Sequence, residues 1–157
     1  MEIEPLIEGK GEACRQIMRD LPLWFPEPEG HEAAARRVDD MDVLVCREEG
    51  IVAGLIALEE QTDSAMEIFL LAVDERFHRR GIGRELVDAA AELAKERQFD
   101  LLTVKTLAPR GRKEPHLDAT RSFYSSVGFL RAEVFPTLWH PDHPCLFMIK
   151  PLAARPA

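Results

Sequence analysis

Hydrophobic positions in this chain change their period several times, and each change marks an element. Cys14, Ile17, Met18 and Leu21 recur at steps of three and four, the spacing of one helix face, and the pattern stops at Pro22. Leu23-Trp24-Phe25-Pro26-Glu27-Pro28 then reads as a loop carrying two large aromatics between prolines. His31 to Val38 predicts a second short helix. Val43 to Cys46, a Glu49-Gly50 turn and Ile51 to Leu58 predict a hairpin of two apolar strands. Ile68 to Val73 is almost wholly apolar and predicts a strand buried on both faces. From Ile82 the period is helical, with Ile82, Leu86, Ala90, Leu93 and Ala94 on one face. Asp100 to Thr106 predicts another strand, and Ala119 to Val127 a short helix closed by Gly128. Val134-Phe135 and Leu146 to Ile149 supply two final strands, and Met1 to Ile7 could supply a short first one. Antiparallel strands followed by strand-helix-strand-helix-strand define a mixed α+β sheet with helices on its faces.

No repeat, low-complexity tract or Gly/Ser linker interrupts this order, so residues 1–157 are expected to form one domain. With 46% hydrophobic residues the chain can offset the entropy of ordering, which argues against disorder. Its longest strongly apolar run, Ile68 to Val73, is far below the roughly 20 residues of a membrane span. Met1-Glu2-Ile3-Glu4 is acidic and lacks the basic and apolar regions of a secretory signal. Cys14, Cys46 and Cys145 are odd in number and far apart, which fits a reduced, cytoplasmic protein. The net charge of −8 argues against a nucleic-acid partner and suits a cationic or amine substrate better.

One segment departs from that acidic balance. Between Arg76 and Arg84 lie four arginines and no carboxylate, at the point where a strand runs through Gly81 and Gly83 into a helix. Glycines there let backbone N–H groups converge, and the helix N-terminus adds partial positive charge, so the segment can cradle an anion such as phosphate. A tight turn with solvated arginines is the alternative. The dinucleotide fingerprint fails because Leu86 stands where its third glycine belongs, and the P-loop fails for want of a Gly-Lys pair.

The segment instead resembles the acetyl-CoA motif V-x-P-x-x-[Q/R]-x-x-G-x-[G/A] of the GNAT superfamily of N-acetyltransferases, through Val73, Gly81 and Gly83. Glu75 stands where proline is usual, and His78 where Gln or Arg is usual. Phe123-Tyr124 followed by Gly128-Phe129 resembles the superfamily's later F-Y-x-x-x-G-F helix, although Leu117 and Thr120 replace its common Asn and Ala. Gly54 sits as a glycine often does in the preceding strand. The resemblance spans about residues 3 to 150. It implies the GNAT fold: a mixed, mostly antiparallel sheet of about seven strands, splayed between strands 4 and 5 and flanked by about four helices.

The resemblance also implies acetyl transfer from acetyl-CoA to a primary amine by direct attack on the thioester. Pantetheine would pair with the open edge of the fourth strand through Leu71 and Val73, and N–H groups from Arg79, Arg80, Gly81, Ile82, Gly83 and Arg84 would hold pyrophosphate. His78 could touch phosphate through its ring or be a plain surface histidine. Val73 N–H is a candidate oxyanion donor. Tyr124, the only tyrosine, falls where the family places its general acid, and Glu67 where some members place a base. Their alternatives are a half-buried helix aromatic and a solvated strand-end carboxylate. Trp24 and Phe25 lie in a loop that overhangs the acceptor site in such folds, and Trp139, His140 and Asp142 fall in the connection between the last two strands. Walls for a cationic acceptor, or simple packing and a Pro-stiffened turn, both fit these residues. The basic stretch Leu107 to Leu117 could reach the acceptor, reach the 3′-phosphate of CoA, or be mobile. His140, Asp142, His143 and Cys145 match no metal-ligand spacing, and no metal is expected.

Other classes stay open at this stage: a non-catalytic acyl-CoA-binding module, or an enzyme acting on a protein amine. Neither the acceptor, the preferred acyl group nor the oligomeric state can be read from the sequence, although homodimers are frequent among similar proteins.

Overall fold

The computed structural model describes residues 1–152. Its strands are β1 (Ile3–Pro5), β2 (Asp42–Glu48), β3 (Ile51–Glu60), β4 (Ala65–Val73), β5 (Leu101–Leu107), β6 (Leu130–His140) and β7 (His143–Pro151). The helices are α1 (Lys10–Arg19), α2 (Pro28–Arg37), α3 (Ile82–Glu96) and α4 (Pro115–Ser126). The strands make one mixed sheet in the order β1-β2-β3-β4-β5-β7-β6, with β4 parallel to β5. No helix among the described residues is long and apolar enough to cross a membrane.

By backbone contacts the chain divides into two compact units. The first comprises Met1–Glu59 with Phe69–Leu93, and the second Glu60–Ile68 with the chain from Ala94. In the first unit Cys14, Ile17, Met18 and Leu21 are buried together with Val43, Val45, Leu55, Leu70 and Ala72. Trp24 and Phe25 are partly buried and pack against that cluster, and the His31 ring meets the Phe25 carbonyl at 2.7 Å. Helix α2 starts at Pro28, earlier than the hydrophobic pattern announces, because proline suits a first turn whose N–H groups have no acceptor. Gly54 on β3 lets α3 approach closely: a Cβ there would lie 2.6 Å from Ile82 Cγ2 and 2.9 Å from Leu86 Cδ1.

In the second unit Ala65–Ile68 of β4 pair with Leu101–Val104 of β5. β5 pairs along its whole length with β7, and β7 with β6. Met66, Ile68, Leu102, Val104, Leu146 and Met148 share one face by register and are buried. Helix α4 is fastened at its middle and at its C-terminal end. Arg121, itself buried, donates to the Leu107 carbonyl at 2.6 Å, and Lys150 Nζ donates to the Val127 carbonyl at 2.7 Å. Gly128 closes the helix at φ +100°, and Phe129 N–H returns to the Tyr124 carbonyl.

Three expectations change. β4 is fully buried only at alternate positions near its end, with Phe69, Leu71 and Val73 half-buried. β6 runs from Leu130 to His140 rather than over Val134-Phe135, because almost every residue of this edge strand is exposed and leaves no alternation to read. Trp139 and His140 therefore belong to β6, and the connection to β7 is only Pro141-Asp142.

Gly54→Ala should lower the thermal midpoint by several degrees, the equivalent of about 1–3 kcal/mol of overpacking. Gly30→Ala, where nothing lies closer than 3.9 Å, should not lower it. Thermal denaturation of both variants checks this.

Candidate active site

The chain's chemistry-bearing residues divide between the two units. The first holds the candidate anion loop. Asp74 N–H donates to the Ala53 carbonyl on β3 at 2.8 Å. Strand alternation therefore turns the N–H and C=O of Leu71 and Val73 toward the opposite edge of β4. After Val73 the chain makes a short 3₁₀ turn (Glu75–Phe77) capped by the Asp74 carboxylate, which accepts from Arg76 N–H at 2.9 Å and from the Arg76 guanidinium. That guanidinium holds the Asp74 carboxyl below its ordinary range.

His78 places its Nε2 2.7 Å from the Val73 carbonyl, so that nitrogen carries the hydrogen, and Trp24 meets the ring edge-on at 5.7 Å. The bond to the Val73 carbonyl takes up Nε2, so a side-chain contact to phosphate would come from Nδ1. Arg79 at φ +66° and Gly81 at φ +80° both adopt the left-handed conformation that curls the chain into α3. Ile82 is buried and anchors the first turn, leaving its N–H role compatible with an apolar side chain. Arg80 lies over the buried Phe77 ring, 5.1 Å from its centroid.

The second unit holds the candidate acid and base. Tyr124 on α4 is only 5% exposed and sits edge-on to Phe123 and Phe129, each with ring centroids 5.4 Å away. Burial raises its hydroxyl well above the ordinary range. Among the described residues no fully enclosed side-chain nitrogen or oxygen lacks a hydrogen-bond partner. The Tyr124 hydroxyl, which has none among the described residues, is therefore not sealed off.

Glu67 is buried rather than solvated. Its Oε1 accepts from Lys105 Nζ at 2.6 Å, and its Oε2 from Gln61 Nε2 at 3.4 Å. Sequence reading did not single out Lys105; only the β4–β5 register brings it to Glu67. Near Asp142, a cleft of about 490 Å³ is lined by Arg110, Arg112, Pro141, Asp142, His143 and Pro144. Arg110 is a structural tie. It grips the Glu114 carboxylate with two N–H groups, at 2.9 and 2.6 Å, and donates a third to the Asp142 carbonyl at 2.9 Å. Arg110 pulls the Glu114 carboxyl down to about 2. The loop after β5 is thus tied to the β6–β7 turn. His140 Nδ1 accepts from Asp142 N–H at 3.0 Å, while Trp139 is about half exposed.

Residues 12–129 match the family model "Acetyltransferase (GNAT) family". The chain belongs to that family. No curated protein sequence matches it. Solved structures of the same fold include three informative ones. An aminoglycoside 6′-N-acetyltransferase from Enterococcus faecium has a TM-score of 0.77 at 16% identity, covering 100% of each chain. A GNAT acetyltransferase from Elizabethkingia anophelis with acetyl-CoA bound has a TM-score of 0.73 at 18% identity, covering 96% of this chain and 97% of that one. The ribosomal-protein-S18-alanine N-acetyltransferase of Escherichia coli has a TM-score of 0.76 at 19% identity, covering 99% and 96%.

Gly81→Val should weaken coenzyme A binding about ten-fold or more, since a side chain in the left-handed region costs about 1–2 kcal/mol. Calorimetric titration of coenzyme A into wild type and variant checks this. The Arg110–Glu114 tie makes a separate prediction about pH. Its depressed carboxyl contributes stability above the ordinary value of 4.5, and that contribution fades as pH falls from 4.5 toward about 2. Glu114→Gln should therefore melt below wild type at pH 7, with the gap narrowing below pH 4.5.

Proposed function

We propose that this protein is an N-acetyltransferase that moves acetyl from acetyl-CoA to a primary amine of a small molecule by direct attack on the thioester. The observation that carries the reading is Tyr124. A phenol packed among aromatic rings, with no partner for its hydroxyl among the described residues and with ionisation opposed by burial, is a proton donor kept in its neutral form.

Acetyl-CoA is the co-substrate, and the anion loop supplies its seat. N–H groups from Arg79 to Arg84 at the start of α3 hold the pyrophosphate, and Arg79, Arg80 and Arg84 add positive charge. Leu71 and Val73 offer backbone groups along the β4 edge to pantetheine. With its carbonyl engaged by His78, Val73 offers its N–H, the group needed to stabilise an oxyanion. The amine attacks the thioester carbon, its proton passes to Glu67 directly or through water, and Tyr124 protonates the departing thiolate. A small acceptor suits the acidic chain, whose net charge of −8 favours cationic amines. Trp24, Phe25, Trp139, His140 and Asp142 are the candidate acceptor contacts. A non-catalytic acyl-CoA-binding module would need neither the unpartnered phenol nor the buried carboxylate.

Release of free thiol from acetyl-CoA against a panel of small amines tests the activity directly. Tyr124→Phe should leave folding and acetyl-CoA affinity intact and lower turnover by about 10 to 10³-fold. Because burial raises the phenol above its ordinary value of 10.0, its ionisation should define no basic limb of the wild-type rate profile below that pH. Full turnover in a folded Tyr124→Phe enzyme would make Tyr124 a packing residue only.

A further inference from the structure

Glu67 lies near the end of the β4–β5 ladder, opposite Thr103, and Ile68 opposite Val104 is the last pair of that ladder. Lys105 is the next residue on β5. Two positions beyond Thr103, it turns to the same sheet face as Glu67 and meets it diagonally across the strands. Its ammonium is 2.6 Å from Oε1 and lies 5.8 Å from the centroid of Phe147, the residue paired with Lys105 on β7. The side chain of Glu67 is 10% exposed and that of Lys105 32%, so the carboxylate is the more enclosed partner.

We infer that Lys105 is the positioning residue for the proton acceptor, an inference that rests on Glu67 acting as the base. An enclosed carboxylate without a counter-charge is unfavourable and tends to be neutralised, and a neutral carboxyl cannot take the amine proton. The ammonium supplies that counter-charge at 2.6 Å. It also fixes the orientation: Lys105 holds Oε1, while Gln61 approaches Oε2 at the longer distance of 3.4 Å, leaving Oε2 the less committed oxygen. Removing Lys105 leaves the enclosed carboxylate without its counter-charge and without its fixed orientation, and so lowers activity.

The test is a double-mutant cycle with separate kcat and KM readouts. Lys105→Met should lower kcat about ten-fold or more while KM for acetyl-CoA stays within about two-fold. Lys105→Arg, which keeps a cation on a stem of similar reach, should restore most of the loss. In a Glu67→Gln background Lys105→Met should cost little more. Thermal melts confirm that each variant is folded, and Lys105→Gln serves in place of Lys105→Met if the latter is not. Wild-type kcat in Lys105→Met beside an impaired Glu67→Gln overturns the inference and leaves the base reading standing. An additive effect in the double variant, or failure of arginine to rescue, overturns it as well. Wild-type turnover in Glu67→Gln removes the base reading itself, and the Lys105 inference with it.

Discussion

The placement of the candidate anion loop depends on the absence of a side chain at position 54. Helix α3 begins with Ile82 and continues one turn later with Leu86, and both side chains occupy the space that a Cβ on Gly54 would need. Close-packed interiors give way only at a cost, so this contact sets where the first turn of α3 rests on β3. The short run from Asp74 to Gly81 must then bridge a fixed strand end and a fixed helix start. Its fastenings follow from that geometry. Asp74 N–H reaches β3, its carboxylate caps the 3₁₀ turn, and His78 closes onto the Val73 carbonyl. Two left-handed residues take up the remaining turn. A helix N-terminus held this firmly offers N–H groups that need no rearrangement to meet an anion.

Much of this was legible in the chain itself. The helical spacing from Cys14 to Leu21 and from Ile82 to Ala94 survives folding because each apolar stripe faces one packed surface. Gly128 closes α4 as its position implies, since a residue at φ +100° is readily a glycine. Periodicity fails where burial is uniform. β6 is exposed on nearly every residue, so eleven positions read as two. Helix starts at Pro28 and Pro115 were missed because the first turn of a surface helix carries no apolar signal.

The site shows the same division. Candidates defined by local chain geometry, such as Gly81 and Ile82, follow from glycine spacing and the family resemblance. Lys105 does not. It is 38 residues from Glu67, and only the register of a parallel pair, set by everything that packs around it, brings the two together. Arg110 likewise lies 32 residues from the Asp142 carbonyl that it binds. The basic stretch after β5 could by sequence reach the acceptor, reach the 3′-phosphate or be mobile, and its first arginine holds two loops in place.

The proposed acid and the proposed base differ in the charge they carry before they act, and their surroundings differ accordingly. A phenol is neutral while it still holds its proton. It can therefore sit among aromatic rings without a partner among the described residues, and burial keeps it neutral. A lysine or an imidazolium in the same place would need a counter-ion, because enclosing a lone cation is expensive. The carboxylate has the opposite requirement, since it must be charged to accept a proton. Glu67 is nearly as enclosed as Tyr124, but it stands against a cation at 2.6 Å. Neutral donor without a partner and charged acceptor with one are the two arrangements that burial permits for a proton donor and a proton acceptor ready at the same pH.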